Sequence, residues 1–137
     1  MKTKKSILII LIAIAMISLM PSCKKYPEGP AFSLRTRAER VSNTWKVENY
    51  KVNGTDYTSL VSGYTETYTK SGAYSYAWGS FTGAGTWAFA NNDKEIHISG
   101  TNNQSDHTLI ILKLEEKEFW YYYMDGGDKK EFHMIGN

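Results

Sequence analysis

From Asn43 to the C-terminus the chain alternates apolar and polar residues with a period near two, and short turn signals interrupt it repeatedly. Successive side chains on a strand point to opposite faces, so this pattern predicts short β-strands with one buried face. The strand candidates are residues 45–52, 64–70, 73–78, 85–90, 95–99, 107–114, 118–124 and 129–135. Between them lie Asn53-Gly54, Ser71-Gly72, a loop at 79–83, Asn91-Asn92-Asp93-Lys94, a polar loop at 100–106, a charged turn at 115–117 and Asp125-Gly126-Gly127-Asp128. Residues 57–63 show no clear period. Alternation within 45–52 is imperfect, which predicts a bulge or bend. The connections are too short for parallel crossovers. An all-β, eight-stranded antiparallel up-and-down meander follows, and closing it into a barrel removes its exposed edges.

The first 22 residues are of a different kind. Lys2, Lys4 and Lys5 precede an apolar run over 7–20, and Met20-Pro21-Ser22 leads to Cys23. A positive start, a short apolar run and a small residue before the cut describe a secretory signal, and the run is too short for a membrane span. Cys23 is the chain's single cysteine, which excludes a disulfide framework, a four-cysteine zinc site and CxxC redox chemistry. Its position resembles that of the lipidated cysteine of bacterial lipoproteins, with Met20 where leucine is usual. The resemblance implies cleavage before Cys23, a lipid on its thiol and attachment to a membrane. Removing 1–22 takes three lysines and no acid, which turns the net charge from +2 into −1. Neither value argues for nucleic acid. All 19 aromatic residues remain in the 115 that are left.

Residues 23–32 carry prolines, a glycine and charges and read as a tether. Residues 33–42 place Leu34, Ala38 and Val41 at helical spacing after Ser33, a plausible N-cap. The expected organisation is therefore a signal at 1–22, a tether at 23–32 and a barrel domain with a short N-terminal helix at 33–137.

This mature chain resembles the lipocalin-like domain of small bacterial lipoproteins common in Bacteroidetes. The resemblance is carried by Asn43-Thr44-Trp45-Lys46-Val47, Asn53-Gly54, Tyr64-Thr65-Glu66-Thr67-Tyr68, Gly85-Thr86-Trp87, Leu112-Lys113-Leu114 and Phe119-Trp120. In lipocalins a Gly-x-Trp motif opens the first strand, and Asn43 stands here in the glycine's place. The resemblance implies an eight-stranded barrel with a central cavity and leaves the ligand open. It also implies an outer-membrane lipoprotein. Lys24 and Lys25 follow the cysteine without an acidic stretch, which favours the periplasmic face over the cell surface.

Eight strands enclose either a side-chain-filled core or one small ligand. With Lys113 and Glu118 facing water, Ile110, Leu112 and Leu114 point inward, as do Phe119, Tyr121 and Tyr123. Similar parity turns Trp87, Phe89, Ile96, Ile98, Phe132 and Met134 inward, and Tyr74, Tyr76 and Trp78, larger than the Ala73, Ser75 and Ala77 they alternate with, are expected inward too. Buried tyrosine hydroxyls need partners, so this interior suits a cavity with water or a small hydrophobic or amphipathic ligand. The candidate lining is Tyr74, Tyr76, Trp78, Trp87, Phe89, Ile110, Leu112, Phe119, Tyr121, Tyr123 and Phe132. The alternative is a filled barrel whose outer aromatic residues contact a protein or glycan, since Leu109, Ile111, Trp120 and Tyr122 fall on the opposite faces. No nucleophile motif or phosphate loop is present, and His97, His107 and His133 lie on separate strand candidates. The sequence points to a binding protein, with no enzyme chemistry, metal site or cofactor expected.

Overall fold

The structure is a computed structural model and describes residues 25–28 and 33–137. The expected signal at 1–22, Cys23 and most of the 23–32 tether lie outside the described residues. Among the described residues one short α-helix, α1 (Arg37–Val41), precedes nine strands. They are β1 (Thr44–Val52), β2 (Thr55–Asp56), β3 (Thr65–Tyr68), β4 (Ala73–Trp78), β5 (Phe81–Ala90), β6 (Glu95–Asn102), β7 (His107–Leu114), β8 (Glu118–Asp125) and β9 (Asp128–Gly136). Apart from β2, each strand pairs antiparallel with its neighbours in chain order, and β9 returns to pair with β1. The wall is thus an eight-stranded closed antiparallel barrel. β2 pairs with the end of β1 across Asn53-Gly54, whose φ values of 50° and 85° supply the left-handed residues that a two-residue hairpin turn requires. The unpatterned stretch folds as a single 3-10 turn over Thr58–Val61.

The helix is shorter than 33–42. Thr36 rather than Ser33 caps it, because Thr36 and Glu39 form a reciprocal capping box. Leu34 is consequently outside the helix and 93% exposed, and of the expected stripe only Val41 is buried. Arg37 reaches Asp93 at 2.6 Å and Arg40 donates to the Leu114 carbonyl. These contacts bolt α1 across one end of the barrel. Trp45 is fully buried at this end, and its indole N–H donates to the Val41 carbonyl at 2.9 Å.

Above Trp45 the interior is filled. Phe119, Tyr68 and Tyr121 pack in succession, with ring centroids 5.6 Å from Trp45 to Phe119, 5.8 Å from Phe119 to Tyr68 and 5.1 Å from Phe119 to Tyr121. Ile96, Ile98, Leu109, Ile111, Leu114 and Met134 are fully or almost fully buried beside them. The expected irregularity in the first strand is a register shift between Val47 and Asn49.

A second shift, between Ile111 and Lys113, corrects the face assignment in β7. Leu109 and Ile111 point into the core and Leu114 rejoins them, whereas Ile110 and Leu112 are half-buried on the opposite face. Leu112 is the extra residue that moves the pattern by one position. Residues 25–28 run along this outer side. The Glu28 N–H donates to the Leu112 carbonyl at 2.7 Å, and the Tyr26 hydroxyl donates to the Asp93 carbonyl at 2.9 Å.

Candidate functional site

The end opposite α1 carries the turns at 53–54, 79–80, 103–106 and 126–127, and among the described residues no helix closes it. A cavity of about 340 Å³ opens there. Tyr64, Glu66 and Tyr76 line one side, the loop and strand start at 103–107 another, and the end of β8 at 123–125 a third. Glu66 is the one buried residue among them, at 2% exposure, and forms the floor.

The sequence puts Glu66 inside by simple parity. Tyr64-Thr65-Glu66-Thr67-Tyr68 alternates, and Tyr68 packs in the core, so Glu66 shares its face. A buried carboxylate needs donors. Tyr64 donates to one carboxylate oxygen at 2.8 Å, Tyr74 to the same oxygen at 2.9 Å and Tyr68 to the other at 2.9 Å. The Tyr121 hydroxyl lies close enough to add to the same stabilisation. Among the described residues Glu66 has no cationic partner, and none of the cavity-lining residues is a lysine or arginine.

These surroundings oppose each other. Burial pushes the Glu66 carboxyl above its ordinary range, and the tyrosine hydroxyls pull it partly back. Burial first, and the Glu66 carboxylate second, hold the hydroxyls of Tyr64, Tyr68, Tyr74 and Tyr121 well above the usual phenol value. The tyrosines therefore stay protonated and remain donors. His107 stacks on Tyr123 with centroids 4.8 Å apart. Burial lowers the pKa of its imidazole, against the opposing pull of the Ser105 carbonyl and Asp106. At the rim, Asp125 pairs with Lys130, and Asp106 accepts the Gly100 N–H at 2.7 Å. Tyr76 lies over Gly83, where any Cβ would collide with its ring, and donates to the Asn103 carbonyl at 3.0 Å. That cross-strand glycine gives the ring its place in the wall.

Of the expected lining, Tyr76 and Tyr123 reach this cavity. Tyr74 and Tyr121 point toward its floor through Glu66. Trp87, Phe119 and Phe132 are core residues, with half-buried Phe89 packed against that core. Trp78 is 40% exposed on the rim beside Phe81, because the β4–β5 turn sits beyond the packed interior. Ile110 and Leu112 face outward for the reason given above. Glu66, His107, Asp106 and Asp125 were not expected in a site. The signal for Glu66 was its parity with Tyr64 and Tyr68.

The outer face of β8 and β9 forms a separate aromatic array. Trp120 stacks on His133, with centroids 4.1 Å apart and planes within 4°, and Lys113 lies 4.4 Å from the Trp120 ring. His97 is exposed, and among the described residues no group of three or more His, Cys, Asp or Glu side chains is placed to hold a metal. Compared with protein-family models and with curated proteins, the chain has no significant match.

Proposed function

We propose that the chain is a lipid-anchored protein of the cell envelope, with a lipocalin-like barrel that takes a small amphipathic molecule at its open end. Cys23 would carry the lipid, and the periplasmic face of the outer membrane is the proposed location. The observation that carries the binding role is the cavity floored by Glu66 beneath tyrosine and histidine rings. A filled barrel with no function at its mouth gains nothing from burying a carboxylate there, since burying a charge is costly. The rim supports an amphipathic ligand. Tyr57, Leu60, Trp78, Phe81 and Met124 are exposed at this end, while Leu34 and Ile135 are the only other exposed large apolar residues among those described. A polar group would enter the cup and an apolar part would rest on this rim.

Native mass spectrometry of the full chain in non-ionic detergent tests the reading. A small molecule co-purifying with the wild type and lost from Ser105→Trp, which fills the cup, is the expected result. Equal recovery from both would overturn it. The filled interior and the Trp120–His133 stack favour a second reading, a protein- or glycan-contacting module. In that case Trp120→Ala, and not Ser105→Trp, would abolish retention of the partner.

A further inference from the structure

We infer that the polar group seated in the cup is an organic ammonium. The inference rests on the small-molecule reading above and names the ligand's chemistry. Four rings line the cavity as two stacked pairs, Tyr64 with Tyr76 and His107 with Tyr123. Electron-rich aromatic faces attract cations, most of all where water is excluded. The walls also present three carboxylates, those of Glu66, Asp106 and Asp125, and no lysine or arginine. Lys130 engages Asp125 from outside the lining. Glu66 is satisfied by hydroxyl donors yet has no opposite charge, so its field reaches whatever fills the cup. A neutral polyol would use the hydrogen-bonding groups and leave that field uncompensated. An anion would be repelled. A quaternary or primary ammonium matches both the rings and the charge.

Choline is a suitable probe, because its charge does not titrate and any pH dependence belongs to the protein. Its neutral carbon isostere, 3,3-dimethylbutan-1-ol, has nearly the same shape. Calorimetric titration of the full chain in non-ionic detergent should show saturable choline binding and isostere binding weaker by about tenfold or more, the size of a partly buried charge contact. Choline affinity should rise with pH as Glu66 ionises. The groups around Glu66 are Tyr64, Tyr68, Tyr74 and Tyr121, all protonated in this range, so Glu66→Gln should remove that rise. His107, Asp106 and Asp125 also face the cup and are unchanged in Glu66→Gln, so a rise of equal size in that variant overturns the role of the Glu66 charge. Tyr76→Leu leaves the Glu66 hydrogen bonds intact and should still weaken choline, which keeps the test valid if Glu66→Gln folds poorly. Glycerophosphocholine separates sources: binding at least as tight as choline's assigns the ammonium to a lipid headgroup, and weaker binding to a free cationic molecule. Equal binding of choline and isostere overturns the ammonium and keeps a small-molecule site. Failure of both, with a co-purified molecule lost from Ser105→Trp, does the same. Failure of both with nothing co-purified overturns the two readings together.

Discussion

Glu66 is buried on the same face as Tyr68, a placement that the alternation at 64–68 allows but does not by itself fix. Parity puts it on one face with Tyr64 and Tyr68, but a glutamate in a strand is ordinarily exposed, so the pattern alone leaves open which face is inside. Two of its hydroxyl neighbours belong to other strands, Tyr74 on β4 and Tyr121 on β8, and no local pattern shows that they converge on it. The convergence has a consequence for stability. Burial raises the folded-state pKa of Glu66 above its ordinary value of 4.5, with the tyrosine hydroxyls opposing. A carboxyl of this kind contributes fully below its unfolded pKa, and the contribution falls as pH rises through the folded value. Glu66→Gln cannot titrate. Urea unfolding between pH 4 and pH 8 should therefore show wild type losing stability relative to Glu66→Gln as pH rises. Parallel curves would mean that Glu66 titrates as an exposed acid. Glu66→Ala leaves the phenol donors without their acceptor and should destabilise by about 3 kcal/mol at any pH where the protein folds.

At the scale of elements, the eight strands of the barrel wall, their order and most turns were legible, because period-two alternation and paired turn residues are local signals, whereas the two-residue β2 was not. Asn53-Gly54 and Ser71-Gly72 turn as expected, and the strands pair in sequence. What was not legible is where a strand slips. Residues 107–114 are apolar on both faces, so their pattern fixes no register, and one bulged residue reverses every position on one side of it. The Ile111–Lys113 shift keeps Lys113 outward and Leu114 inward while turning Leu109 and Ile111 into the core. Alanine substitution reads this directly. Leu109→Ala should cost about 2–5 kcal/mol, as for a fully buried leucine, and Ile110→Ala less than about 1 kcal/mol. Denaturant midpoints in the reverse order would refute the register. The helix was misread for a related reason. Ser33 and Thr36 are both acceptable caps, and the choice lies with Glu39, which closes a capping box only with Thr36.

The two ends of the barrel differ in build, with α1 across one and the cup open at the other. Tyr26 is buried against the barrel, and burial, partly offset by Arg37 and Arg40, pushes its hydroxyl up to about 12. It thus remains a donor to the Asp93 carbonyl at the α1 end. Cys23 stands three positions before Tyr26, a reach of at most roughly 11 Å. If Cys23 carries lipid, the membrane lies beside the α1 end. The cup opens at the far end, roughly 20 Å away for tilted strands of this length. If the cup takes the proposed ligand, that ligand would then arrive from the aqueous side rather than by lateral escape from the bilayer. Single-cysteine labelling tests the orientation, since lipidation would consume the natural thiol. Glu116→Cys lies in the turn at the α1 end and Ser80→Cys at the mouth, both exposed. With the full chain in vesicles containing brominated lipid, a fluorophore on the Glu116→Cys variant should be quenched and one on the Ser80→Cys variant should not. The reverse order would place the mouth on the membrane and make the exposed Trp78 and Phe81 a lipid contact. Tyr26→Ala distinguishes a clamp from chance proximity. Losing the buried ring frees the segment between Cys23 and the barrel, so quenching in the two labelled variants should converge, whereas an unchanged difference would mean that something other than Tyr26 holds the barrel upright.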